Sequence, residues 1–176
     1  MTRFRALLLV GALIVLGGVN YSIFSKEDIK KNGELVYIDL APMDPRSLMQ
    51  GDYMALRFRI ADDARPSMQR SDSPGARGIF GRRDLATADG RIVAAVDQRS
   101  IASHRRLDDS RPLAADELLL RYRVREGAVK FATNAFFFQE GTGVRYERAR
   151  YGEFRVAPDG ELLLTGLRGK DLEPLK

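Results

Sequence analysis

Residues 118–138 read LLLRYRVREGAVKFATNAFFF, and this stretch decides the fold class. In its first half, Leu118, Leu120, Tyr122 and Val124 alternate with more polar positions, which is the period of a half-buried β-strand. Glu126-Gly127 then separates this run from a second strand-like run. An acidic residue before glycine supplies the positive φ angles of a two-residue hairpin, although Glu-Gly does so less readily than Asp-Gly. The stretch therefore predicts two strands joined by a tight turn.

The same arrangement recurs on both sides of this hairpin. Asp89-Gly90 precedes RIVAAVD, and Asp159-Gly160 lies between EFRVA and ELLLTGL, so we expect turns at both pairs. Leu35–Ala41 is rich in β-branched and aromatic residues, and Tyr53–Ile60 alternates apolar and polar residues, so both predict strands. In total we predict a mainly β fold of about eight strands with one or two short helices. It would form an antiparallel sheet, a sandwich or a small barrel.

The connecting segments carry helix and loop signals. Asp44 is a good N-cap before proline, and Gly51 suits a helix C-terminus, so we expect one short turn of α-helix or 3₁₀ helix over Pro45–Gln50. Residues 61–83 hold two prolines, three glycines and many charges, which predicts a surface loop. A further short helix is expected over Tyr146–Arg150.

The N-terminal 25 residues differ from the rest of the chain. Ala6–Val19 carries no charge, and it is flanked by Arg3 and Arg5 on one side and by lysines on the other. Because about 20 helical residues cross the hydrocarbon layer, this segment predicts one transmembrane helix. A cleavable signal peptide is the alternative, but the small-x-small sites near its end are poor, which favours an uncleaved anchor. The two arginines place the N-terminus in the cytoplasm and the rest of the chain outside.

These patterns divide the chain into an anchor (1–25), a stalk (26–34) and one β-rich domain (35–176), since 176 residues suit a single domain. The absence of cysteine fits an exported bacterial domain and excludes thiolate catalysis, thiolate metal sites and disulfides. The formal charge is +5, with acids and bases mixed throughout, which favours a solvated surface over a nucleic-acid interface.

The sequence contains no recognisable catalytic set. His104 is the single histidine, and its arginine neighbours would repel a metal, so we predict a surface loop there. Asp52 lies between a helix-terminating glycine and a strand, where a carboxylate accepts hydrogen bonds from the backbone of its own turn. We therefore predict no catalytic residue, no metal site and no cofactor.

Two alternatives depend on charged side chains. A membrane-tethered hydrolase would need two carboxylates meeting in a cleft, one of them with a raised pKa. The candidates for it are Asp39, Asp44, Asp52 and Glu140. A polyanion or cell-envelope binder would bind through arginines, with a strong dependence on salt. The candidates for it are Arg65, Arg70, Arg77, Arg82 and Arg83.

The aromatic run at residues 136–138 is the most informative apolar feature of the second half. On a strand, Phe136 and Phe138 share one face and Phe137 takes the other. Either the strand is central and covered on both sides, or one of its faces is an exposed docking surface.

GDYMALRF (Gly51–Phe58) resembles the signature of the GDYXXLXY family of bacterial membrane-anchored proteins, which has no established activity. The resemblance is carried by Gly51, Asp52, Tyr53 and Leu56, whereas Phe58 stands where the family has a second tyrosine. A later block, FFFQEGTG (Phe136–Gly143), is similar to the aromatic and Glu-Gly segment of the same family.

The resemblance implies an inner-membrane anchor with a periplasmic domain, and a multi-spanning membrane protein as the partner. We therefore expect an accessory protein that binds this partner and no nucleic acid. The candidate functional motif comprises Gly51, Asp52, Tyr53, Leu56, Phe58, Glu140 and Gly141.

Overall fold

The computed structural model of the protein describes residues 2–41, 49–50, 53–71 and 87–175. Its helices are α1 (Thr2–Asn32), α2 (Arg59–Ser71) and a 3₁₀ helix (Gly143–Tyr146). Its strands are β1 (Glu34–Asp39), β2 (Met49–Gln50), β3 (Tyr53–Ala55), β4 (Ala88–Val96), β5 (Ile101–Leu107), β6 (Glu117–Arg125), β7 (Ala128–Phe131), β8 (Ala135–Phe137), β9 (Tyr151–Val156) and β10 (Leu162–Arg168). The predicted mainly β fold with one N-terminal apolar helix is confirmed.

Seven strands form one curved sheet in the order β10-β9-β1-β5-β4-β6-β7. The sheet is mixed. Strand β1 runs parallel to β5, whereas all the other neighbouring strands of this sheet pair antiparallel. The β9–β10 turn reaches β6: the backbone N–H of Arg121 donates to the Gly160 carbonyl at 2.8 Å, and the Arg121 guanidinium lies 3.0 Å from Asp159. These contacts bring the two ends of the sheet together into a nearly closed barrel.

Two of the three predicted turns are confirmed. Glu126-Gly127 joins β6 to β7 with φ angles of 55° and 71°, as a two-residue hairpin of this type requires. Asp159-Gly160 lies in the turn between β9 and β10, with Gly160 at φ 88°. The third prediction is wrong, because Asp89-Gly90 lies within β4, where Gly90 faces Tyr122 of β6 across the ladder.

The turn that the sequence did not predict is at residues 97–100, between β4 and β5. The Asp97 carboxylate accepts hydrogen bonds from the backbone N–H groups of Arg99 and Ile101, both at 2.8 Å. A side chain that binds its own turn in this way stabilises the reversal without glycine.

The predicted loop over residues 61–83 is wrong in its first part, because Arg59–Ser71 is helix α2; residues 72–86 lie outside the described residues. The helix buries Ile60, Ala61, Ala64 and Met68, which share one helical face. This face packs against β5, β7 and β1 inside the curve of the sheet. Apolar burial on one face therefore outweighs the helix-breaking tendency of Pro66.

The predicted strand over Tyr53–Ile60 is shorter than expected, since β3 ends at Ala55, but its alternation of buried and more exposed side chains continues to Ile60. The turn of helix predicted over Pro45–Gln50 is wrong at its end, where Met49–Gln50 is strand β2; residues 45–48 lie outside the described residues. The short helix predicted over Tyr146–Arg150 is wrong in its position, because the 3₁₀ helix runs from Gly143 to Tyr146 and overlaps the prediction only at Tyr146.

The centre of the core is a cluster of phenylalanines. Phe58 makes edge-on contacts with Phe131 and Phe154, at ring-centroid distances of 6.4 and 5.4 Å, and all three side chains are fully buried. Gly152 of β9 lies against this cluster, where a Cβ atom would be 3.1 Å from the Phe58 ring. The glycine leaves the space that the rings occupy.

Helix α1 is long and apolar enough over Leu7–Asn32 to span a membrane, and its apolar side chains between Leu7 and Phe24 are exposed. The helix continues to Asn32, through most of the segment predicted as a stalk. The C-terminal end of α1 contacts the β-rich domain. Ile29 is buried, and Lys26 forms an ion pair with Glu161. Just after the helix, the Arg155 guanidinium donates to the Gly33 carbonyl at 3.0 Å. The helix end is thus packed against β9 and β10.

Candidate functional site

The two segments that resemble the family motifs meet in a separate small sheet, β2-β3-β8, which we call the motif sheet. Tyr53 of β3 pairs with Phe137 of β8, and the next register pairs are Met54 with Phe136 and Ala55 with Ala135. The residues after β3 extend this pairing. Leu56 N–H donates to the Asn134 carbonyl at 2.7 Å, and the Asn134 amide donates back to the Leu56 carbonyl at 3.3 Å. Two segments that are distant in sequence therefore form one surface.

The outer face of the motif sheet carries an aromatic pair. The Tyr53 and Phe137 rings are 5.8 Å apart between centroids. The Phe137 side chain is 74% exposed, whereas Tyr53 is half-buried. An exposed phenylalanine held by a neighbouring ring is the kind of rigid apolar feature that protein interfaces use.

The inner face of the same sheet is covered. Met54 is buried, and Phe136 and Phe138 are half-buried against the main core. Their rings contact Tyr146 of the 3₁₀ helix at centroid distances of 5.1 and 5.3 Å. The two alternatives for the aromatic run are thereby resolved: one face is packed against the core, and the face that bears Phe137 is exposed.

The predicted motif residues divide into two groups. Leu56 and Phe58 are buried in the core, so their contribution is packing, while Tyr53 lies at the surface. Gly51 and Asp52 lie outside the described residues, and the predicted hydrogen bonding of the Asp52 carboxylate stays a prediction.

The Glu140 loop follows β8 directly. Glu140 and Gly141 are exposed, and Gly141 has φ 77°, which a side chain at this position would disfavour. The Thr142 hydroxyl donates to the Gln139 carbonyl at 2.6 Å and closes the turn. Val144, two residues further on, is 73% exposed.

The four carboxylates proposed for hydrolysis are only partly described. Asp39 lies 3.3 Å from the Arg59 guanidinium, and Glu140 is in the exposed loop just described. Asp44 and Asp52 lie outside the described residues. Within the described ranges, no three His, Asp or Glu side chains are grouped so that they could hold a metal ion.

The surface loop predicted at His104 is wrong, because His104 is on β5 beneath α2. Its Nε2 is 3.5 Å from the Ser67 hydroxyl, and its buried Nδ1 has no hydrogen-bond partner among the described residues. Burial lowers the pKa of His104, and the nearby Asp63 carboxylate opposes this shift in part. Residues 101–107 read IASHRRL, which shows no clear alternation of polar and apolar residues, so little in the local sequence indicates this strand.

The arginines proposed for polyanion binding are also only partly described. Arg65 is half-buried on α2, and Arg70 lies near the end of the same helix. Arg77, Arg82 and Arg83 lie outside the described residues.

The chain was compared with known protein families. The model of the GDYXXLXY protein family matches residues 15–167, which is most of the chain and includes part of α1 and both motif segments. Comparison with curated proteins and with solved structures gave no match.

Proposed function

The chain belongs to the GDYXXLXY protein family, and from this we propose that it is a membrane-anchored accessory protein whose motif sheet binds a multi-spanning membrane protein. In this proposal α1 is an uncleaved anchor in the bacterial inner membrane. The N-terminus is cytoplasmic and the β-rich domain is periplasmic, as Arg3 and Arg5 before the apolar segment favour.

The observation that supports this proposal is the aromatic pair on the motif sheet, in which the Phe137 side chain is exposed. Among the described residues outside α1, large hydrophobic side chains are exposed only at Leu113, Phe137 and Val144. One of these three, Phe137, is held in place by the tyrosine of the family motif. Of the described residues in this motif, Tyr53 contributes to the surface of the motif sheet, whereas Leu56 and Phe58 are buried in the core.

A binding role accounts for this geometry better than hydrolysis does. Carboxylate hydrolysis needs two acids that meet in a cleft. Of the two described candidates, Asp39 forms an ion pair with Arg59, and Glu140 is in an exposed turn. An exposed ring beside a polar loop, in contrast, resembles the anchor residue and polar rim of an interface.

Site-specific photo-crosslinking of the full-length chain in its native membrane tests the proposal. A photoreactive phenylalanine analogue replaces Phe137 in one variant and Leu113 in a matched control, which is also an exposed apolar position. We expect the first variant to form one product that stays in the membrane after an alkaline carbonate wash and contains a multi-spanning protein identified by mass spectrometry.

A second pair of variants, Phe137→Asp and Leu113→Asp, is purified in mild detergent. We expect the multi-spanning protein to be lost from the first and retained by the second, with the same circular dichroism spectrum for both. Equal cross-linking from the two positions, or recovery of the unmodified chain without any membrane protein, would overturn the proposal.

A further inference from the structure

A cavity of about 750 Å³ lies between the end strand β10 and the strands β6 and β7. It occupies the place where the barrel is not closed, since β10 and β7 are the two ends of the sheet order. Lys26 of α1 forms part of its wall. Its volume is in the range of small-molecule sites, which is roughly 300–1,000 Å³.

Basic residues outnumber acidic ones among the residues that line this cavity. Five basic residues face two acidic ones, Asp89 and Glu161. The basic residues are Lys26, Arg91, Arg121, Arg123 and Lys130. A concave surface with this excess of positive charge attracts anions, because low-dielectric walls concentrate the field.

Arg123 differs from the other four basic residues. Lys26 pairs with Glu161, and the remaining three lie within 4.0 Å of a carboxylate: Arg91 of Asp108, Arg121 of Asp159 and Lys130 of Glu126. Within the described chain, the guanidinium of Arg123 makes one long hydrogen bond, to the Ala132 carbonyl at 3.4 Å, and no ion pair. Its guanidinium therefore retains donors for a ligand, in a geometry that matches a phosphate.

The rest of the wall is mainly apolar, although Thr133 and the Tyr122 phenol also line it. Leu162, Leu163 and Leu164 of β10 contribute one side. On the other side the Tyr122 ring lies over Gly90, where an added Cβ would be 2.6 Å from the phenol oxygen. The cavity thus combines cationic and apolar surfaces, as a ligand with an anionic end and an apolar end requires.

The position of Lys26 relates the cavity to the apolar part of α1. Phe24 is the last exposed large hydrophobic of the helix, and Lys26 follows two residues later. At ~1.5 Å of rise per residue, about 3 Å along the helix axis separates them. When α1 spans a bilayer, the part of the cavity wall that Lys26 forms lies at the level of the lipid headgroups.

We propose that this cavity binds the phosphate-bearing headgroup of an anionic membrane lipid, with the phosphate on Arg123 and the start of the acyl region against the β10 leucines. The inference goes beyond the proposed partner binding. It depends on the membrane anchor and not on the motif sheet.

Binding to the full-length chain in nanodiscs tests this inference. One set of discs contains phosphatidylcholine alone, and the other contains phosphatidylcholine with phosphatidylglycerol; lipid retained by the protein after extraction is measured by native mass spectrometry. We expect retention of phosphatidylglycerol over phosphatidylcholine. We expect Arg123→Gln to reduce it about tenfold or more, since hydrogen bonds to a charged group contribute that much.

Arg99→Gln is the matched control, because Arg99 is exposed in the β4–β5 turn, is not among the cavity-lining residues and loses the same charge. Gly90→Ala is a second variant, which moves the Tyr122 ring without a change in charge and is expected to reduce retention as well. Equal losses from Arg123→Gln and Arg99→Gln, or equal retention of both lipids, would overturn the inference.

Two competition experiments, in which a soluble anion is added to the lipid-bound protein, distinguish a lipid from other anionic ligands. Inorganic phosphate is expected to displace the lipid only weakly; displacement at equal concentration would assign the cavity to a soluble phosphate and overturn the lipid assignment. Displacement by a short acidic peptide would indicate that a peptide strand adds to the open edges of β7 and β10, and would also overturn the lipid assignment.

Cross-linking through Phe137 is expected to be unchanged in Arg123→Gln. The lipid proposal and the partner-binding proposal can therefore fail independently of each other.

Discussion

Gly152 and Phe58 form a pair whose substitutions are expected to compensate each other. Phe58 is 1% exposed and lies against Phe131 and Phe154. Truncation of such a ring to alanine typically costs about 3–5 kcal/mol of unfolding free energy, from lost burial and the cavity left behind. Phe58→Ala is expected to fall in this range because both neighbouring rings lose their edge contact.

Gly152→Ala perturbs the same place in the opposite sense. The new methyl group would lie 2.8 Å from Cε2 of Phe154 and 3.1 Å from Cε1 of Phe58, both closer than ordinary contact. Overpacking of this kind costs about 1–3 kcal/mol. Independent effects would therefore add to roughly 4–8 kcal/mol in the double variant. Because the missing Phe58 ring makes room for the methyl group and for the Phe154 ring, we expect a cost about 1–2 kcal/mol below the sum.

Urea unfolding of the full chain in detergent measures this coupling. Far-UV circular dichroism and tyrosine fluorescence are suitable signals, since the chain has six tyrosines and no tryptophan. Val93→Ala combined with Gly152→Ala is the control, because Val93 is buried but does not belong to the central cluster. Additivity of Phe58→Ala and Gly152→Ala within about 0.5 kcal/mol would refute the reasoning, as distant sites add to that degree.

Two further predictions concern charged groups beside the sheet. Burial lowers the pKa of His104 in the folded state. As the pH falls below about 6.5, the unfolded chain therefore binds a proton at this histidine before the folded chain does. The free energy of unfolding decreases over this range, until the pH reaches the folded-state pKa. His104→Gln should remove this part of the dependence of the urea midpoint on pH, and an unchanged slope would contradict it. Glu117, whose side chain is 7% exposed, binds Arg105, Arg106 and the backbone N–H of Ala114. Glu117→Ala should cost about 1–3 kcal/mol, because Arg106 keeps Asp109 as a partner but loses its bond to Glu117, and the Ala114 N–H loses its acceptor; a loss below about 0.5 kcal/mol in thermal unfolding would contradict that.

Local patterns predicted those elements that local interactions determine. The β6–β7 hairpin follows from alternation and from a turn with positive φ at Glu126 and Gly127, and both signals lie within one short stretch. Asp89-Gly90 carries the same turn signal but lies within strand β4. There the sheet provides partners on both sides of β4, and the ring of Tyr122 fills the space beside Gly90. Tertiary pairing overrides a turn preference of this kind.

Helix α2 was missed because its composition resembles that of a loop. Charges and Pro66 obscured an apolar face formed by Ile60, Ala61, Ala64 and Met68. A search for spacings of three and four residues, in place of a count of charges, would have found that face. Its orientation inside the barrel, however, depends on β1, β5 and β7, which no local pattern specifies.

The motif sheet and the cavity were predicted from the sequence to different extents, because both depend on contacts between distant segments of the chain. The sequence indicated Tyr53 and the aromatic run as separate motifs, but their pairing joins segments that are far apart in the chain. The cavity was not predicted at all, because Lys26, Arg123 and the β10 leucines come from three distant regions. Residues of this kind carry no common spacing, so only the closure of the sheet brings them together.

The C-terminal end of α1, which packs against β9 and β10, would affect how strongly the motif sheet binds a partner in the membrane. Phe137 and its neighbours form a small patch, whereas stable complexes between soluble proteins bury roughly 1,200–2,000 Å². A patch of this size is sufficient when the anchor holds both proteins in one membrane, since a second contact then forms at an effective concentration of about millimolar. The buried Ile29 and the Lys26–Glu161 pair join the end of α1 to β9 and β10. Binding to the partner should therefore weaken when these contacts are removed, even though none of them lies on the motif sheet.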